Sequence, residues 1–137
     1  MVESLEQQLT RHEGFRLKPY LCSAGKLTIG VGRNLTDNGI TESEAKVMLR
    51  NDITRFYGEL QEYLPWSVSL DPARRDVLAN MAFNLGTMGL FGFKNFLAAM
   101  QVKDWGLASS EMLNSRWARQ VGTRAAELAK IIKNGGM

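Results

Sequence analysis

Soft metal ligands are nearly missing from this chain: it has one cysteine, Cys22, and one histidine, His12. A single cysteine excludes an intramolecular disulfide framework. One Cys with one His is too few soft ligands for structural zinc, so no metal is expected. Cys22 is left as either a buried small hydrophobe or a reactive thiol. His12 reads as a packing or salt-bridge partner. No apolar run approaches the length that spans a bilayer, and no stable membrane association is expected. The opening stretch, MVESLEQQLTRHEG, is polar and has no apolar h-region. The expectation is a chain kept in the cytosol that something else must release if it acts outside. Internal repeats, low-complexity tracts and flexible linkers are also missing. One local absence matters later: no acidic residue lies between residues 14 and 36.

Apolar residues make up 45% of the 137, enough for a real core. The length fits one cooperative unit, or two small lobes sharing a long element. A formal net charge of +3 favours polyanionic partners such as nucleic acid, anionic membrane or bacterial wall polymers without choosing among them. The basic residues are scattered, however, with no dense stripe beyond Arg74-Arg75. A sequence-reading DNA binder needs a recognition helix with clustered base-reading side chains, so nucleic acid is not the expected partner.

Residues SLEQQLTRH predict a short helix. Ser4 caps it, Gln7 completes a capping box and Gly14 terminates it, which leaves Glu13 at the helix end. A hairpin around CSAGK then leads into a β-rich segment, KLTIGVG (26–32). LTDNGIT supplies an Asn38-Gly39 turn. Such a small lobe has little core of its own. Thr41 and Glu44 form a second capping-box pair at the head of a long helix, which ends before Pro65. Its apolar stripe runs through Ala45, Leu49, Phe56, Leu60 and Leu64. Beyond residue 65 the pattern is all helical. Asp71-Pro72 opens a helix running to Gly86, and GFKNFLAAMQ forms the next. Asp104 caps another, SRWARQ is a short helical piece, and Thr123 starts a last helix closed by two glycines. Trp105 and Trp117 are expected in the core.

TIGVG is not a phosphate loop, because no Lys-Ser/Thr pair follows its glycines. Gly30 and Gly32 would instead let a substrate lie against an open strand edge. Cleaving a glycoside requires a proton donor for the leaving oxygen and a second group that positions water, activates it or attacks carbon. Glu13 can be the donor and Thr28 can hold a water. No second carboxylate follows in the hairpin, so Cys22 is the remaining candidate. On the residues alone this case is weak.

The spacing carries more. Glu13, eight residues, Cys22, five residues, Thr28 resembles the catalytic spacing of the phage-type lysozymes, in which the middle position is Asp or Cys. The flanks HEGFRLKPY and TIGVGRNLT are similar too. So are ITESEAKVMLRNDI, which looks like the start of the family's interlobe helix, and LDPARRDVLANMAFNLGTMGLFGFKNF, which looks like its central helical hairpin. SRWARQVGTRA resembles the stretch whose late arginine pairs with the catalytic glutamate, which makes Arg124 the implied partner of Glu13. Asn80 and Phe83 match cleft-facing positions. Arg33 stands where a well-known family member has histidine.

The resemblance implies an α+β, lysozyme-like fold. A small β-hairpin lobe (about 14–40) and a helical lobe (about 65–137, with the N-terminal helix) would be joined by an interlobe helix (about 42–64). It implies a muramidase cutting the β-1,4 link between N-acetylmuramic acid and N-acetylglucosamine in peptidoglycan, with no cofactor. Glu13 would be the acid, with Cys22 and Thr28 as the second catalytic group. The protein would be a monomer that waits in the host cytoplasm until a separate membrane-permeabilising protein releases it to the wall. Two departures stand out. Cysteine at the second position leaves base, water-positioner and nucleophile open, and the segment between GRNLT and ITESE is shorter than in longer members. Two alternatives are kept: a lytic transglycosylase on the same bond, and a catalytically silent peptidoglycan-binding phage protein.

Overall fold

A computed structural model describes residues 2–136. The fold is α+β, with contacts clustering into two units divided between Met48 and Leu49. The first unit opens with α1 (Leu5–Glu13). Its capping box is closed in both directions: Gln7 N–H donates to Ser4 Oγ at 3.1 Å, and Ser4 N–H donates to Gln7 Oε1 at 2.9 Å. Gly14, at φ 84°, ends the helix.

Strands β1 (Arg16–Leu21), β2 (Leu27–Gly30) and β3 (Arg33–Asn34) form an antiparallel sheet in the order β1-β2-β3. The register sets Tyr20 opposite Thr28, Thr28 opposite Asn34 and Ile29 opposite Arg33, with an irregularity between Arg16 and Tyr20. The β1–β2 turn falls at CSAGK, as its composition predicts. Gly25 N–H donates to the Cys22 carbonyl at 2.8 Å, and Gly25 takes φ 76°. This is the turn-plus-left-handed-glycine closure common in three-residue hairpin loops.

One feature departs from the sequence reading. LTDN is not a plain turn but a one-turn helix, α2 (Leu35–Asn38), capped by Asn34 and ended at Gly39. The Asn34 carboxamide accepts from Asp37 N–H at 3.0 Å, a local bond that competes with extended backbone. By its contacts the N-terminal helix falls in the first unit. Its last residue packs on the β2–β3 turn, where a methyl carbon at Gly32 would lie 2.9 Å from Glu13 Oε2. Thr28 is the one buried residue among the described residues of this unit, so the expected lack of a core is observed.

Helix α3 (Glu42–Tyr63) crosses the boundary between the units. Its capping box is formed: Glu44 N–H donates to Thr41 Oγ1 at 3.1 Å, and Thr41 N–H donates to Glu44 Oε1 at 2.8 Å. Gly58 does not interrupt it. Pro65 starts a 3₁₀ turn (Pro65–Ser69), a good place for a residue that lacks an N–H.

The second unit continues with α4 (Pro72–Leu85), α5 (Thr87–Phe91), α6 (Lys94–Gln101), α7 (Trp105–Leu113), α8 (Arg116–Val121) and α9 (Thr123–Asn134). Asp71 and Asp104 cap α4 and α7 as their positions predict. The short α5, set between two glycines, shows no amphipathic period in the sequence. The core gathers Leu60, Leu78, Met81, Leu90, Phe96, Met100, Met112 and Ile132, each exposed by 1% or less. Burying one such side chain contributes about 1.5–3 kcal/mol. Trp117 is buried and donates to Asn84 Oδ1 at 2.8 Å, which satisfies its indole N–H. Trp105 is half-buried beneath the Arg74 guanidinium, 4.0 Å from the ring centroid. Among the described residues no helix is long and apolar enough to cross a membrane.

Candidate active site

Five of the predicted residues, Glu13, Cys22, Thr28, Gly30 and Gly32, lie in the first unit. Glu13 is the last residue of α1, and its side chain is exposed. Gly14 breaks the helix directly after it, so the carboxyl leaves the helix at a fixed point. Glu13 meets Gly32, which lies in the β2–β3 turn at φ 65°. Torsion demands glycine there, since the left-handed region penalises a Cβ, and a Cβ would also crowd the Glu13 side chain, whose carboxyl would have to shift. Gly30 also has positive φ, but open space surrounds its missing Cβ.

Cys22 and Thr28 are brought together by the backbone of Lys26. The Lys26 carbonyl accepts from Cys22 N–H at 2.9 Å and from Thr28 Oγ1 at 2.9 Å. The Cys22 thiol is held below its usual range, first by the nearby Lys26 backbone and then by that of Ala24; desolvation opposes them, and the Thr28 hydroxyl assists. Hydrogen-bond donors beside a thiolate favour the charged form. The Thr28 hydroxyl proton goes to the Lys26 carbonyl oxygen.

This turn is anchored to α2. Lys26 Nζ pairs with Asp37 Oδ1 at 3.2 Å, and Leu27 N–H donates to Thr36 Oγ1 at 2.8 Å. Sequence reasoning missed Lys26, because a backbone carbonyl and amide leave no side-chain signal. The Thr36-Asp37 pair was legible only as turn composition.

A second set gathers around β3. Arg33 forks onto Glu44, with Nη1 to Oε1 at 2.9 Å and Nη2 to Oε2 at 2.8 Å, and Nη1 also reaches the Gly39 carbonyl at 3.2 Å. The fork, with help from the Thr41 bonds, holds the Glu44 carboxyl down to about 2. Beside this pair lies an open groove of about 560 Å³ whose walls include Gly30, Val31 and Met48.

The other predicted residues lie together in the second unit. Asn80 and Phe83 are on α4 and Arg124 is in the first turn of α9. Arg124 donates to Asn80 Oδ1 from Nε at 3.0 Å and from Nη2 at 2.8 Å, and from Nη2 to the Asn80 carbonyl at 3.2 Å. Phe83 is 48% exposed and sits edge-on to Phe56, with centroids 5.7 Å apart. All three line a cavity of about 260 Å³ with Tyr57 and Asp76, which are hydrogen-bonded to each other. The Asn80–Arg124 bond, across 44 positions, was not foreseen.

Residues 10–132 match the sequence profile of the phage lysozyme family. A probable T4-type lysozyme of Dictyostelium discoideum is 26% identical over 98% of this chain and 96% of its own length. An endolysin of Acyrthosiphon pisum secondary endosymbiont phage 1 is 32% identical over 91% of this chain and 85% of its own. The pre-baseplate central spike protein of Enterobacteria phage T4 is 29% identical over 98% of this chain, which spans only 28% of that longer protein.

Proposed function

The chain belongs to the phage lysozyme family, and on that premise we propose that it is an endolysin-type muramidase. Its reaction is hydrolysis of the β-1,4 link between N-acetylmuramic acid and N-acetylglucosamine in bacterial peptidoglycan. Glu13 is the general acid that protonates the glycosidic oxygen as the bond breaks. Cys22 and Thr28 act on the opposite partner of the bond. Thr28 holds a water, and the thiolate of Cys22 takes its proton as the water adds to the anomeric carbon. Gly30 and Gly32 keep the strand edge bare enough for a glycan to lie along it. Asn80, oriented by Arg124, and the exposed ring of Phe83 meet the sugar chain.

One observation carries this reading: Cys22 and Thr28 meet at the Lys26 carbonyl, which accepts from the Cys22 N–H and from the Thr28 hydroxyl, beside a thiol held below its usual range. The lowered value favours thiolate, the form able to accept a proton from water. The net charge of +3 suits an anionic wall. The proposal includes action as a monomer, and release from the host cytoplasm by a separate membrane-permeabilising protein.

The test is digestion of isolated peptidoglycan, with and without prior alkylation of Cys22, read by mass spectrometry. Reducing muramic ends that vanish on alkylation are the expected result. Anhydro ends would instead identify a lytic transglycosylase, and no released product would identify a silent wall binder.

A further inference from the structure

Arg33 lies outside the proposed catalytic set, yet it ties three segments of the first unit. Its backbone is in β3, directly after Gly32. Its guanidinium reaches the Gly39 carbonyl behind α2 and both oxygens of Glu44 at the head of α3. Glu44 is itself fixed by the Thr41 capping box. On the other side of the turn, Gly32 lies against the Glu13 carboxyl. A chain of contacts thus runs from Glu44 through Arg33 and Gly32 to Glu13.

We propose that Arg33 is a positioning residue for Glu13: its fork to Glu44 fixes the Val31-Gly32 turn against which the Glu13 carboxyl rests. This rests on the assignment of Glu13 as the acid. The alternative, an ordinary surface ion pair, differs in magnitude. The two side chains are 40% and 41% exposed, and pairs of that kind contribute little to stability. A catalytic group displaced by about 1 Å can cost on the order of a hundredfold in rate. A positioning role therefore appears in turnover and hardly in melting. Only guanidinium supplies the planar fork; an ammonium keeps the charge but not the two parallel bonds.

The experiment compares Arg33→Gln, Arg33→Lys and the exchange Arg33→Glu/Glu44→Arg with the unchanged protein. It reads kcat and KM separately on a soluble peptidoglycan fragment, with the Tm. Arg33→Gln is expected to lower kcat roughly tenfold or more, with KM within about twofold. Arg33→Lys should fall between, and the exchange should regain part of the loss. Wild-type kcat in Arg33→Gln overturns the proposal. So does a loss of kcat that follows Tm and is not regained by the exchange. If Arg33→Gln does not fold, Arg33→Lys carries the same comparison. Glu13→Gln is run alongside. If it is inactive while Arg33→Gln is normal, only this proposal fails; if it still turns over, the acid assignment fails and this proposal falls with it.

Discussion

Glu13 and Gly32 are in contact across the first unit, so closely that a methyl carbon at residue 32 would come 2.9 Å from Glu13 Oε2 and 3.1 Å from its Cβ. Glycine here is a matter of space as well as torsion. The residue keeps the end of α1 seated on the β2–β3 turn, and the carboxyl with it.

Gly32→Ala is therefore expected to do two things at once. Forcing a Cβ into φ 65° costs about 1–2 kcal/mol, and the new methyl also displaces the carboxyl. Gly122→Ala also forces a Cβ into positive φ, at 58°, but with nothing within 4 Å. Thermal melts should show a loss for both variants, while wall lysis should drop only for Gly32→Ala. Equal activity in the two would show that the Glu13 contact is idle.

Glu13→Gln should abolish lysis with little change in Tm. The side chain is exposed, and surface substitutions of this kind stay within about 0.5 kcal/mol. Turbidity loss on whole peptidoglycan, set beside a melting curve, checks it. Lysis at the wild-type rate would remove Glu13 from the acid role.

Cys22 should alkylate with a midpoint pH below that of a free thiol, because the backbone of Lys26 and of Ala24 favours its thiolate. Thr28→Val removes the assisting hydroxyl and should move the midpoint up, and Thr28→Ser should restore it. Rates of iodoacetamide reaction across pH give the midpoint directly, with no need for substrate. A Thr28→Val midpoint equal to wild type would separate the hydroxyl from the sulfur.

The Arg33–Glu44 fork makes stability depend on acid. The Glu44 carboxyl titrates at about 2 in the folded chain against an ordinary 4.5. A depressed folded value means the contribution is fully present above about pH 4.5 and is lost as pH falls toward about 2. Glu44→Gln lacks this dependence. The gap between its melting temperature and that of wild type should be small and steady near neutrality and close between pH 4.5 and 2. A gap that stays constant through that window would mean that the fork adds nothing to stability.

Much of the fold could be read ahead because its signals are local. Ser4 with Gln7, Thr41 with Glu44, and Asp71 before Pro72 each fix a helix start within four residues, and each cap is formed. Gly14, Gly86 and the two closing glycines fix the ends in the same way. What could not be read is what needs either weak periodicity or distance. The one-turn α2 depends on Asn34 bonding Asp37, which turn composition does not distinguish from a loop. Helix α5 is too short to show a period. Arg33 with Glu44, and Asn80 with Arg124, meet across 11 and 44 positions. For the site, the spacing of Glu13, Cys22 and Thr28 was legible, but only through family likeness. The Lys26 node that joins two of them is made of backbone atoms, which every residue has.

Thr28 is the one buried side chain among the described residues of the first unit, whereas the apolar core belongs to the second. Opening the hairpin therefore brings little new hydrocarbon into contact with water. The heat-capacity change of that step should be small, since the increment follows exposed apolar area. A calorimeter would register the second unit almost alone, and the sheet that carries Cys22 and Thr28 could loosen with scarcely a trace in the thermogram. For this chain, survival of the main melting transition is thus no evidence that the hairpin is still in place.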